Sequence, residues 1–110
     1  MSGYRTQWKE AYNRKDAGAF LSTYADKINY VEFSVPERQI LYKDSLKNEV
    51  AAKFNDPGFN SRPEDFLISA DGHFAAVQGT YKDQKMADTP MVIILEINNA
   101  KIIWHYNFLV

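Results

Sequence analysis

Two residues of this 110-residue chain have the chemistry to move a proton in apolar surroundings, Glu32 and His105. Glu32 lies in an alternating run, residues 28–33, in which Ile28, Tyr30 and Glu32 share one face and Asn29, Val31 and Phe33 the other. His105 lies in the run 101–110, where Ile103, His105, Asn107 and Leu109 share one face and Ile102, Trp104, Tyr106 and Phe108 the other. A carboxylate near an imidazole can take a proton from carbon beside a carbonyl and return it, the carboxylate as base and the imidazole as acid or polariser. The second histidine, His73, follows an Asp71-Gly72 turn, where a solvent-exposed position is expected.

Other chemistries are excluded by composition. There is no cysteine, so no disulfide scaffold, thiolate nucleophile or zinc knuckle. Two histidines and scattered acids give no metal-ligand spacing. Neither a nucleotide-binding glycine loop nor a nucleophile elbow is present, and no cofactor is expected. A net charge of -1, with basic residues scattered singly, argues against nucleic acid as a partner. The N-terminus holds no apolar run of signal-peptide or membrane-span length, and a cytoplasmic location is expected.

The elements that must position the two residues follow from periodicity. Trp8, Ala11 and Tyr12, with Tyr4, have helical spacing over residues 4–14. Asp16 is placed to cap a second helix over 17–25, with Phe20, Leu21 and Tyr24 inward. After the strand 28–33, Pro36-Glu37-Arg38 reads as a turn and 39–42 as a short strand. Asp44 or Ser45 is expected to cap a third helix to about Phe54, with Leu46, Val50 and Phe54 on its buried stripe. Residues 55–63 form a loop, and strands 64–70 and 73–82 a hairpin. Strands 90–97 and 101–110 then flank the turn Asn98-Asn99-Ala100. Gly79 interrupts its strand, as expected at a bend, a bulge or a close approach. The expected architecture is a single α+β domain over residues 1–110: a cone-shaped, curved, mixed or antiparallel sheet packed against three N-terminal helices. Such a cone holds a pocket.

This element order resembles the nuclear transport factor 2-like superfamily. The resemblance also rests on Trp8-Lys-Glu-Ala-Tyr, Asp16, Tyr24-Ala25-Asp26, the capped third helix and the closing Asn-Ala-Lys-Ile-Ile strand pair. Within it the chain is most similar to SnoaL-like proteins, which include polyketide cyclases and ketosteroid isomerases. Residues 25–33 run without a gap alongside the first strand of the isomerases, and the resemblance puts Glu32 at the position of their carboxylate base. It puts Trp8 where they carry an oxyanion-hole tyrosine and Ile93 where they carry a protonated aspartic acid. Both donors are missing, at ~3 kcal/mol of transition-state stabilisation each, so steroid isomerisation itself is excluded.

The resemblance further implies that Ile103, His105, Asn107 and Leu109, with Met91, Ile93 and Leu95 of the neighbouring strand, face the cavity. Glu32 and His105 then look into it together, as catalytic candidates. Trp8, Tyr12, Tyr30, Met91, Ile93, Leu95 and Asn107 are the ligand-binding candidates for a small apolar or aromatic compound. Burial is expected to raise the Glu32 pKa, and a protonated His105 to lower it again. Each residue also has a plain structural role open to it: Glu32 at a pocket rim, His105 as a satisfied core or interface histidine, Trp8, Tyr12 and Tyr24 as core or pocket wall. The alternative to an isomerase, cyclase or dehydratase is thus a non-catalytic binding or interaction module of the same fold. Trp104, Tyr106 and Phe108 form an aromatic ridge on the opposite face, and a two-fold homodimer packed sheet to sheet is expected to cover it.

Overall fold

The structure, a computed structural model, describes residues 4–32, 35–83 and 85–109. The expected strand residues Phe33 and Val110 lie outside the described residues, as does the side chain of Tyr4. Helix α1 (Tyr4–Arg14) buries Trp8, Ala11 and Tyr12. It ends where Lys15 turns to φ 57°, with Lys15 N–H donating to Tyr12 O and Asp16 N–H to Ala11 O, a Schellman-type stop.

Helix α2 (Ala17–Leu21) is capped by Asp16, whose Oδ1 accepts from Ala19 N–H at 3.1 Å. It is shorter than the expected 17–25. Ser22 and Thr23 donate their hydroxyls to Ala19 O and Phe20 O, so the last carbonyls are satisfied by side chains instead of by another helical turn. Thr23 O then accepts from Ile102 N–H, and the chain runs extended as β1 (Tyr24–Glu32). Tyr24, expected on the inner face of a helix, is the first residue of a strand.

Strand β2 (Val35–Tyr42) absorbs the Pro36-Glu37-Arg38 segment expected to be a turn. It is an edge strand, where a missing proline N–H leaves no partner unpaired. Helix α3 (Lys43–Asn55) starts two to three residues early with Tyr42 at its N-cap and no side-chain cap, so neither Asp44 nor Ser45 plays that part. Asp44 instead sits in the first turn, where its charge suits the helix dipole. Its buried stripe is the expected Leu46, Val50 and Phe54.

Strands β3 (Arg62–Ile68) and β4 (Phe74–Tyr81) form the expected hairpin, with Gly72 at φ 75° and Asp71 Oδ1 accepting from Ser69 Oγ and His73 N–H. His73 is exposed, as its place after that turn implied. Strands β5 (Thr89–Asn98) and β6 (Lys101–Leu109) complete one six-stranded sheet, ordered β2-β1-β6-β5-β4-β3. Among the described residues only the β1–β6 pairing is parallel, so the sheet is mixed and the fold α+β.

The helices cover one face. Its rows read across the strands as Phe66, Val77, Ile93, Asn107 and Glu32, then Ala75, Leu95, His105 and Tyr30. Trp8 meets Phe66 at 5.8 Å between ring centres, and Phe20 meets Tyr24 at 5.2 Å, which seals α1 and α2 to this side. The other face carries Leu67, Ala76, Ile94 and Tyr106 in one row and Phe74, Glu96 and Trp104 in the next. Ile102 departs from the expected alternation. Glu96 pairs with Trp104 but Ile97 pairs with Ile102, so Ile103 is an extra residue. That bulge turns Ile102 inward, fully buried, while Trp104, Tyr106 and Phe108 stay outward. Gly79 stands opposite a second irregularity, between Pro63 and Asp65; an added Cβ would lie 2.1 Å from Arg62 O. Close backbone approach, with the bend beside it, explains the glycine.

Candidate functional site

The parallel register of β1 and β6 sets Tyr30 beside His105 and Glu32 beside Asn107. Because alternate residues share a face, these four side chains form a block on the helix-covered side. Helix α3 lies over the block and contributes Leu46, Val50, Lys53 and Phe54. Between helix and sheet is a cavity of about 40 Å³ floored by Ile93, His105 and Asn107 and walled by Tyr12, Phe20, Tyr24, Tyr30 and Phe59. At ~10–15 Å³ per water it has room for a few waters or one compact group, the rest of the cone being filled by aromatic side chains.

His105 is the most constrained polar group. Tyr24 Oη lies 2.8 Å from its Nδ1, and the Trp8 indole N–H donates to that same oxygen at 3.3 Å. Tyr30 and Tyr24 stack on the imidazole, with ring centres 5.0 and 5.9 Å away. Burial first, and the Lys53 charge second, push the imidazole pKa down to about 3, against a smaller opposing pull from Glu32. The imidazole is therefore neutral near pH 7. Burial thus works against the protonated His105 that the sequence reading named as able to lower the Glu32 pKa.

At the mouth, Tyr30 O–H donates to Glu32 Oε2 at 3.0 Å, and the Lys53 ammonium lies 3.5 Å from the same oxygen. The Glu32 side chain is 12% exposed. Burial, followed by the adjacent Glu32 charge, drives the Tyr30 phenol far above its usual range, so it remains a donor at any working pH. Burial likewise raises Tyr12 to about 12, with the Ser61 hydroxyl acting in the opposite sense. The Lys53 ammonium also lies 5.4 Å from the centre of the Tyr81 ring. Asn107, at 5% exposure, leaves its Oδ1 without a hydrogen-bond partner.

Of the residues expected from the sequence, Tyr12, Tyr30, Ile93, His105 and Asn107 line the cavity; Glu32 is not in the lining and touches it through two residues that are, Tyr30 and Lys53. Trp8, Met91 and Leu95 are fully buried outside the lining. Trp8 spends its N–H on Tyr24 and acts on the site through that hydroxyl. Sequence reasoning missed Lys53, and gave Tyr24 as core or pocket wall without its bond to His105. That bond was masked by the overlong second helix. Lys53 was visible only as a lysine flanking Phe54 on the α3 stripe, a position from which a long side chain can run along apolar surface and carry its charge to the edge.

No protein-family model and no curated protein matches the chain. Solved structures do match. An NTF2-like protein of unknown function from Mesorhizobium loti superposes with TM-score 0.82 at 12% identity, over 97% of this chain and 88% of its own. A protein from Catenulispora acidiphila with a ketosteroid isomerase-like fold, in complex with trimethylamine, gives 0.73 at 14% identity, over 98% and 85%. A protein from Pseudomonas putida provisionally named a polyketide cyclase gives 0.72 at 22% identity, over 98% and 92%.

Proposed function

We propose, from the premise that the chain has the nuclear transport factor 2-like fold of the SnoaL-like kind, that it binds a small, largely apolar carbonyl compound in its cone without a cofactor. Glu32 would take and return a proton beside the carbonyl, as an isomerase, cyclase or dehydratase does. The observation that carries this reading is that Glu32, outside the lining itself, shares a sheet face with His105 and Asn107, which floor an aromatic-lined cavity. A neutral imidazole can donate an N–H to a carbonyl oxygen and strengthen that bond as negative charge develops there. Tyr30 would hold the Glu32 carboxylate in place, and the proton would return to carbon from the same carboxyl group, so no other reagent is consumed.

The second reading, a non-catalytic binding module, is favoured by the company Glu32 keeps. A carboxylate that accepts from a tyrosine and faces an ammonium is stabilised as the anion and is a weaker base. Proton–deuterium exchange at the α-carbon of a small ketone in D2O, followed by NMR, separates the two. The enzyme reading expects exchange above background that Glu32→Gln abolishes while ketone affinity stays within a few fold. Exchange unaffected by the substitution, or absent from the wild-type protein, removes it.

The outer face supports a second proposal, a homodimer. Trp104 and Tyr106 stack with ring centres 5.2 Å apart and Tyr106 and Phe108 at 5.9 Å, a ladder that no helix covers among the described residues. Leu67 at 69%, Phe74 at 49% and Phe108 at 43% exposure extend it across the sheet. A sheet face this rich in exposed apolar side chains, interrupted by Glu96 between Phe74 and Trp104, fits a second copy of the same face better than it fits water. No helix among the described residues is long and apolar enough to cross a membrane. With a near-neutral charge and no cysteine, we place the 110 residues as one domain acting in the cytoplasm.

A further inference from the structure

Resting on the reading of the outer sheet face as the contact with a second copy, we propose that Arg38 of each protomer pairs with Glu96 of the other and so fixes how the two copies are turned. Glu96 is the one acid in the middle of that face. It stands between Phe74 and Trp104, is already half-buried there, and forms no ion pair among the described residues. A second sheet laid on this face strips the remaining water from the carboxylate, which costs free energy unless a cation arrives with the partner.

Arg38 is the cation placed to arrive. Its neighbour Gln39 pairs with inward-facing Tyr30, so Arg38 lies on the outer face of the edge strand β2. It is exposed, has no ion pair among the described residues, and reaches across β1 to hold its guanidinium 5.8 Å from the centre of the Trp104 ring. Trp104 therefore has a positive charge on its β1 side and a negative charge on its β5 side. Within one chain the two do not meet without displacing that ring, because β2 and β5 are three strand spacings apart, ~14 Å. A two-fold contact apposes each point of the face to its image on the other side of the axis. An axis along β6 at Trp104 exchanges the two sides of the strand and sets Arg38 against Glu96 twice. An axis across the strands keeps the sides, and sets Arg38 against Arg38 and Glu96 against Glu96, like charges in a drying contact. The charges thus select the first, with the Trp104 rings of the two copies at its centre.

The test is sedimentation equilibrium, at about 0.15 M salt, of Arg38→Glu and Glu96→Arg, each alone and the two mixed. Each single variant is expected to dissociate at least about tenfold more readily than wild type, and the equimolar mixture to form a heterodimer within a few fold of wild-type affinity, because every new glutamate there faces a new arginine. The double variant Arg38→Glu/Glu96→Arg should recover homodimer affinity, and its failure to do so overturns the pairing. Lys47→Glu and Glu10→Lys, exposed on the helices beyond the sheet, change the net charge by the same amounts and should leave the dimer unaltered. If they weaken it as much as the face variants do, net charge is responsible and the pairing falls. A wild-type dimer with single variants that stay equally tight, or with a mixture no tighter than its components, overturns the pairing and leaves the dimer standing. A monomeric wild-type protein overturns both.

Discussion

Acid should weaken this protein through a single histidine before its carboxylates are titrated. His105 has an ordinary pKa of 6.5 as an isolated side chain and about 3 in the folded protein. Between those values the unfolded chain binds a proton that the folded protein excludes. Stability contributed by the neutral imidazole is therefore complete above pH 6.5 and falls as the pH drops toward 3. The slope approaches ~1.4 kcal/mol per pH unit, so about 2 kcal/mol is lost by roughly pH 5 and on the order of 5 kcal/mol over the whole interval. The assay is urea denaturation of the wild-type protein and of His105→Asn at a series of pH values from neutral to about pH 4. Asparagine offers an oxygen near the place of Nδ1 and has no proton to gain. The variant is less stable at neutral pH because a cavity replaces part of the ring, but its stability should decline less steeply on acidification. Carboxylate effects common to both proteins cancel in the difference. Parallel pH profiles for the two proteins would refute the argument, because they would mean that the imidazole titrates in the folded protein as it does in water. The ring-proton shifts of His105 should correspondingly stay flat from neutral pH to about pH 4.

Other substitutions probe the frame around the site. Gly79→Ala should destabilise by at least about 2 kcal/mol and lower the melting temperature by roughly 10 °C, because the clash is with Arg62 backbone that cannot rotate away; an unchanged melting temperature would mean that β3 and β4 do not approach this closely. Ala100→Gly should stabilise by about 1 kcal/mol, since Ala100 holds φ 61° in the β5–β6 turn where a Cβ is strained, and a calorimetric loss of stability would contradict that backbone. Tyr106→Glu, in the middle of the outer aromatic ladder, should convert a dimer to monomer in sedimentation equilibrium while leaving ketone binding in place; a wild-type protein that sediments as a monomer at micromolar concentration removes the dimer.

Much of this molecule is legible from residue order alone, because local rules decide it. The 3.6-residue spacing of Trp8, Ala11 and Tyr12 and of Leu46, Val50 and Phe54 specifies two of the helices and their inner faces. Two-residue alternation specifies that Tyr30 and Glu32, and His105 and Asn107, share faces. The Asn98-Asn99-Ala100 turn is likewise local, two successive residues taking positive φ. What the sequence by itself could not decide depends on residues far apart in the chain. Helix α2 stops at Leu21 because Thr23 O is claimed by Ile102 N–H from the other end of the chain, a bond that no local propensity records. The parity of Ile102 depends on where β6 places its bulge against β5, and one residue of slip exchanges the faces. Tyr24 meets His105 across 81 positions of sequence, and Lys53 reaches Glu32 from a helix folded over the sheet. The protonation of His105 comes last in this order. An isolated imidazole would titrate near neutrality, and only enclosure by the Tyr24 and Tyr30 rings, with Lys53 nearby, removes the water that would stabilise its charge.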